Sequence, residues 1–388
     1  MTSLRANMFF VALGLSLLGM VMVYSATYRG FGAEYLAIRG VHVALGVLVF
    51  FAASRVRYTA WRKHAMWMYF GVLAALLLVL IPGIGQEVGG ARRWFDFGFI
   101  SLQPAEFAKI VAVLTLAVAL SRIPPGSGLP LRPLAAVGAL FILVLVEPDF
   151  GTSVVLLAGV AGALWASEVR TRDLVLCGAA GFFFLVMVML VEPYRRQRFM
   201  TFLDPWSVAD GSGYQVVQSM VAIKAGDFFG SGAGGGGQSA IVPEIQTDMI
   251  FALIGEELGL AGMMVVIGCF AFLAIAGFRI SLHAPTVMGR CLAAGLTTMI
   301  CVQAVFNMGA VMVVLPLAGI TLPFISYGGS SLIACFAMVG ILYRISEDSE
   351  RAREAKPKRR SNASTHNNSR GRDWGTRDPR ALRGRPPA

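Results

Sequence analysis

Ten stretches of this sequence are apolar over lengths that suit a bilayer, and no other feature restricts its possible folds as strongly. They cover residues 8–25, 37–53, 65–82, 104–121, 134–147, 151–167, 174–192, 249–278, 287–312 and 329–345. A helix needs about 20 apolar residues to cross the hydrocarbon core, where every backbone polar group must be bonded within the segment. Composition agrees, with 56% hydrophobic and 14% charged residues against roughly a quarter charged in soluble domains. The expected fold class is therefore all-α, a polytopic membrane protein of about ten transmembrane helices. The first run follows Arg5 without a small-residue cleavage site and reads as an uncleaved first helix.

Charge orients these runs. Of the net charge of +11, +7 lies between Arg344 and Ala388. The short loops carrying Arg55, Arg57, Arg62 and Lys63, then Arg122 and Arg132, Arg170 and Arg172, and Arg279 and Arg290 all fall on one side of a ten-helix chain. By the positive-inside rule that side is cytoplasmic, and so are both termini. The opposite loops at 148–150 and 313–328 have no Lys or Arg. The long extracytoplasmic loop between the seventh and eighth runs, residues 193–248, does carry Arg195, Arg196, Arg198 and Lys224. Residues 1–346 form the transmembrane domain, and 347–388 read as a disordered basic cytoplasmic tail, polar and almost without large apolar side chains. No folded nucleic-acid motif accompanies that charge, so anionic membrane lipid, not nucleic acid, is the expected partner of the tail.

Cys177, Cys269, Cys291, Cys301 and Cys335 lie in apolar runs, and the four histidines are scattered. Neither residue type shows metal-ligand spacing.

Ionisable residues at membrane depth are costly and need a partner or a function. Glu106 and Lys109 stand three apart near the outer start of the fourth run, as an internal ion pair or as substrate ligands. Asp248 lies at the outer mouth of the eighth run, as a helix cap or a base, with Glu244 four residues before it. Glu256 and Glu257 follow inside that run, where at least one must face protein or a cavity. Arg195, Arg196 and Arg198, with Phe199, Phe202 and Trp206, suit an interfacial helix that turns arginines inward toward a diphosphate. The glycine-rich stretch at 230–237 lacks the Lys and Ser/Thr of a phosphate-binding loop and reads as a flexible linker or a close backbone approach, the linker being favoured. These residues describe an outward cavity for a lipid-linked phosphate ester, a chemistry that fits an enzyme or a lipid transporter equally.

Several segments resemble the SEDS family, the FtsW/RodA/SpoVE peptidoglycan glycosyltransferases. They are residues 90–94 (Gly-Ala-Arg-Arg-Trp), 103–109, 147–152 (Glu-Pro-Asp-Phe-Gly-Thr), 198–206, 213–219, 247–259 and 322–331, in the same order. The resemblance covers about residues 8–345. It implies a ten-helix fold with an extracytoplasmic active site that polymerises lipid II beside a class B penicillin-binding protein and other divisome or elongasome proteins of the bacterial cell membrane. The essential Asp of the family falls on Asp248, its functional Trp on Trp94 and its helix-four Lys on Lys109. Asp248 is then the expected catalytic base. Trp94, Glu106, Lys109, Asp149, Arg195, Arg198, Gln218, Glu244, Ser326 and Tyr327 are the expected substrate-binding residues. For Lys109 the alternative is a pair with Asp248. A divalent cation, Mg or Mn, is the one cofactor this chemistry leaves room for. The chain departs from the family in having Gln246 for a usual His and Met249 for a usual Phe. The 322–331 and 202–206 segments look more like the FtsW division branch than the RodA elongation branch. Rival readings are a lipid II flippase, which needs a path to both faces, and a non-catalytic scaffold.

Overall fold

The computed structural model describes residues 2–28, 32–88, 90–98, 101–124, 126–211, 213–238 and 241–370. A helix lies over each of the ten apolar runs: α1 (Thr2–Thr27), α2 (Gly32–Arg55), α3 (Tyr58–Val79), α4 (Pro104–Leu120), α5 (Leu131–Val146), α6 (Phe150–Trp165), α7 (Thr171–Val191), α10 (Ile250–His283), α11 (Val287–Val311) and α12 (Gly329–Arg370). Six described helices are long and apolar enough to cross a membrane by themselves, and α5 and α6 are shorter apolar helices. The chain is an integral membrane protein. Between α7 and α10 lie α8 (Pro193–Leu203), a 3-10 turn at Trp206–Val208 and α9 (Tyr214–Ala225).

Helix α4 is central. Fourteen of its 17 residues are buried, so Glu106 and Lys109 have no route to solvation. It packs on α3, α6 and α11, and α11 packs in turn on α6 and α10. Small residues permit this approach. A Cβ added at Gly295 of α11 would lie 2.9 Å from the Gly159 carbonyl of α6, and one at Gly162 would overlap Thr298. At the opposite extreme, α7 buries none of its described side chains, as expected of a helix that is apolar all round and faces lipid.

Contacts sort the loops by end. Tyr58 bonds Thr286 at 2.9 Å, Arg290 pairs with Glu168 at 2.6 Å, and Arg5 pairs with Glu350 at 3.0 Å. The basic loops and the first turns of α1 therefore meet at one end of the bundle, together with the α12 segment around Glu350.

Three features depart from expectation. A three-stranded antiparallel sheet, β1 (Gln86–Val88), β2 (Ala91–Asp96) and β3 (Ser101–Leu102), fills the link between α3 and α4. The tail does not begin at Glu347: α12 continues to Arg370, with Ser346 and Ser349 buried and Arg344 paired to both Glu347 and Asp348 at 2.9 Å. These pairs, one turn apart, carry the helix past its apolar run. The expected tail beyond residue 370 lies outside the described residues.

The glycine-rich stretch is a close backbone approach, not a linker. Helix α10 is broken at Gly259 (φ +65°, ψ −167°). The carbonyls of Glu256 and Glu257 accept from Ser231 N (2.9 Å) and Gly232 N (3.0 Å), while Leu260 N and Ala261 N donate to Asp227 and Phe228 carbonyls at 3.0 and 3.1 Å. The Glu256 carboxylate accepts from Gln238 N at 2.8 Å, and that of Glu257 from Gly234 N at 3.1 Å and from Ser25 Oγ. Both glutamates thus face protein, and irregular backbone is satisfied against the break, as membrane-level loops require.

Candidate active site

At the end of the bundle opposite the basic loops, a cavity of about 540 Å³ opens between β2, the start of α6, α8 and residues 316–319. Its floor is built by the Glu-Pro-Asp-Phe-Gly-Thr segment. Asp149 is the N-cap of α6, where Ser, Thr, Asp and Asn satisfy otherwise orphaned amides. One of its carboxylate oxygens accepts from Thr152 N at 2.9 Å, and the other from Thr152 Oγ1 at 2.9 Å and Gln103 Nε2 at 2.8 Å. Arg93 of β2 donates from Nε to the Glu147 carbonyl and from Nη2 to that of Pro148, each at 2.7 Å. The sheet, the α5–α6 turn and the start of α4 are thereby tied together.

The wall is α8. Proline at its first position starts the helix without losing a needed amide. Arg195 and Arg198, three residues apart, present guanidinium groups to one cavity, and Arg195 lies 5.8 Å from the centroid of the Phe150 ring. A helix is thus present over the expected segment, with Trp206 exposed beyond its end.

Asp248 stands behind this wall in a narrow crevice. The cap of α10 is Met249, with no side-chain cap bond, so the capping alternative for Asp248 fails. Its backbone carbonyl accepts from Asn307 Nδ2, which also donates to the Ile320 carbonyl, both at 2.7 Å. A Cβ at Gly319 would lie 3.5 Å from Arg198 Nη1 and 3.9 Å from Asp248 Oδ2, so the guanidinium and the carboxylate both approach this one point of the chain. Burial pushes the Asp248 carboxyl up to about 6, with Glu244 adding to the rise and Arg198 and Thr247 opposing it.

The remaining expected residues separate. Lys109 is fully buried and pairs with Glu106 at 2.9 Å and Gln303 Oε1 at 3.0 Å. It is not paired with Asp248 and does not line the arginine cavity, because α4 holds it inside the bundle. Trp94 is half-buried on β2 and lies outside the cavity lining, to which Ala91 and Arg93 of the same strand contribute. Glu244 is exposed and accepts from Thr247 Oγ1 at 3.0 Å. Gln218 is half-buried on α9, outside the cavity lining. Ser326 Oγ accepts from Leu322 N at 2.7 Å, and Tyr327 N donates to the Gln246 carbonyl at 2.8 Å, so both shape the loop before α12.

Residues that sequence reasoning passed over hold that loop. Arg39 of α2 is fully buried and donates from Nη2 to the carbonyls of Phe324 (2.6 Å) and Ile325 (3.1 Å). Gln303 Nε2 reaches the Thr321 carbonyl at 3.0 Å. Phe324 is at φ +65°, a conformation costing on the order of 1–3 kcal/mol that persists only when its surroundings fix it. An arginine inside an apolar run, and amides at 303 and 307 on one face of α11, were the available signals.

A divalent cation finds no ready ligand set. Asp149 is engaged by Thr152 and Gln103, and no group of three or more His, Cys, Asp or Glu among the described residues is arranged to hold a metal ion.

Residues 5–351 match the family model for FtsW, RodA and SpoVE, described as cell cycle protein. The chain is 38% identical over 349 residues to a protein of Allochromatium vinosum named probable peptidoglycan glycosyltransferase FtsW, covering 86% of this chain and 87% of that one. It is 36% identical over 347 residues to stage V sporulation protein E of Bacillus subtilis, covering 87% and 95%. Among solved structures, it aligns at TM-score 0.74 and 29% identity with a chain from work on polymerization and crosslinking by a peptidoglycan synthase complex, covering 88% and 97%. It aligns with the rod shape determining protein RodA of Thermus thermophilus at TM-score 0.68 and 27% identity, covering 88% and 96%.

Proposed function

The chain belongs to the FtsW/RodA/SpoVE family of cell cycle proteins, and on that premise we propose that it is a peptidoglycan glycosyltransferase that polymerises lipid II in the bacterial cell membrane. The observation that carries the proposal is a desolvated carboxylate, Asp248, set near Arg198, which with Arg195 borders a cavity at one end of the bundle. In this reading the cavity is extracytoplasmic, the ten helices all cross the membrane and both termini are cytoplasmic. A relative named probable peptidoglycan glycosyltransferase and a solved neighbour from a peptidoglycan synthase complex support it, as does the arrangement of basic loops at the other end.

The reaction joins two sugars. The 4-hydroxyl oxygen of an acceptor forms a bond to the anomeric carbon of a donor, whose bond to polyprenyl diphosphate breaks with inversion. A sugar hydroxyl is a weak nucleophile at neutral pH, so a positioned base contributes about 10²–10⁴-fold. Asp248 takes the hydroxyl proton. The electron pair leaves on the diphosphate oxygen, where Arg195 and Arg198 offset the developing charge. Arg93 and Asp149 act on geometry, holding the floor on which the diphosphate rests. A class B penicillin-binding protein is the expected partner, crosslinking the strands made here, and the FtsW-like segments put this work in septal synthesis.

The test is a product assay. Wild-type chain, purified with its cognate class B penicillin-binding protein and given lipid II under penicillin, is expected to yield a ladder of uncrosslinked glycan on a gel. No ladder, together with movement of lipid II between the leaflets of liposomes containing the chain, would replace the enzyme by a flippase.

A further inference from the structure

A second cavity, of about 190 Å³, lies on the far side of α8. Its chemistry differs from that of the first. Gln197, Thr201 and Gln215 supply two amides and a hydroxyl, Phe202 supplies an aromatic face, and Arg198 is the one charged side chain in its lining. Gln215 is held by a bond from Nε2 to the Pro243 carbonyl at 3.2 Å. Amides, hydroxyls and an aromatic face suit the neutral, many-hydroxyl surface of a sugar ring, whereas Arg195 and Arg198 suit a diphosphate.

The narrow Asp248 crevice adjoins both cavities. Leu317 lines all three spaces. The crevice shares Phe306 and Gly319 with the arginine cavity and Ala310 with the smaller one. Residues of α8 divide accordingly: Arg195 and Phe199 face one side, Gln197 and Thr201 the other, and Arg198 borders both. A base that must take a proton from one sugar while another sugar loses a diphosphate belongs at such a junction.

We propose that the smaller cavity is the acceptor subsite, which takes the sugar bearing the attacking 4-hydroxyl, while the arginine cavity holds the departing diphosphate of the donor. This rests on the glycosyltransferase reading and adds to it which side of α8 each substrate occupies. The proton of the 4-hydroxyl passes to Asp248, the new bond forms at the donor anomeric carbon, and the leaving diphosphate stays on the Arg195 side.

Two inhibitors separate the subsites. One is the disaccharide pentapeptide of lipid II without lipid or phosphate, and the other is polyprenyl diphosphate. Both are expected to inhibit wild-type polymerisation. Thr201→Val and Gln215→Leu are each expected to weaken inhibition by the disaccharide about tenfold, the worth of a neutral hydrogen bond or two, and to leave inhibition by polyprenyl diphosphate unchanged. Arg195→Gln is expected to do the reverse. Retained inhibition by polyprenyl diphosphate reports that Thr201→Val and Gln215→Leu are folded, and retained inhibition by the disaccharide reports the same for Arg195→Gln. Equal shifts for both inhibitors, or a disaccharide inhibition unmoved by Thr201→Val and Gln215→Leu, would overturn the assignment. A wild type that makes no glycan would instead remove the enzymatic reading, before any variant is compared.

Discussion

Asp248→Asn is expected to slow glycan polymerisation by about 10²–10⁴-fold, the usual contribution of a general base, while leaving the chain folded and inserted. The substitution keeps the shape of the side chain and removes its capacity to take a proton. The fold should tolerate it, because the bond that fixes this residue runs from Asn307 Nδ2 to the backbone carbonyl of Asp248, not to its carboxylate. Nor does the carboxylate cap α10, whose cap position is Met249. Burial already opposes the charged form, so the neutral amide also removes a desolvation cost. A variant that retains its thermal transition in detergent but loses the glycan ladder matches this expectation. Near wild-type polymer from Asp248→Asn would take the residue out of the reaction.

Glu106→Ala is expected to cost about 3–5 kcal/mol of stability, the typical loss when one partner of a buried ion pair is removed and the other stays charged. Lys109 would be left with the side-chain oxygen of Gln303, at 3.0 Å, inside a helix buried on nearly every side. The effect should reach the loop before α12, because the same Gln303 side chain holds the Thr321 carbonyl at 3.0 Å and Ser331 Oγ at 3.1 Å. The double variant Glu106→Gln with Lys109→Met removes both charges and should recover most of the loss, since apolar or neutral replacements of a buried pair are often neutral to stability. Thermal unfolding of the three proteins in one detergent measures this. Equal transition temperatures for wild type and Glu106→Ala would mean that Lys109 is solvated or neutral, contrary to its burial.

These residues also mark how far the sequence can be read. The membrane helices were legible because long apolar runs admit one backbone solution in lipid, and a helix lies over each run. The inward turn of Arg195 and Arg198 was legible as an amphipathic segment at the end of a span. The sheet between α3 and α4 was not, since its strands are only 2 to 6 residues long and carry no sustained alternation. The glycine-rich stretch misled because composition alone does not separate flexibility from close approach. What decides it is the break at Gly259, whose freed amides and carbonyls are satisfied by the backbone of Asp227, Phe228, Ser231 and Gly232, more than 20 residues earlier in the chain. For Lys109 the spacing leaves an internal pair with Glu106 and a substrate ligand both open, and the choice of the pair follows from the packing of α4 on three neighbours, which spacing does not reveal. Arg39 shows the opposite case: the signal, one arginine in an apolar run, was present in the sequence, but its partners, two carbonyls nearly 290 residues away, come only with the fold.

The most direct test of the account is the pH dependence of lipid II polymerisation by the wild-type complex, compared with that of Asp248→Asn. Burial sets the Asp248 carboxyl at about 6, and the base must be ionised to accept a proton. The rate is therefore expected to be level above about pH 6 and to fall about tenfold for each unit below it, and this limb should be absent from the residual activity of Asp248→Asn. A wild-type profile that is flat across this range, or an acid limb that persists unchanged in Asp248→Asn, would contradict Asp248 as the general base.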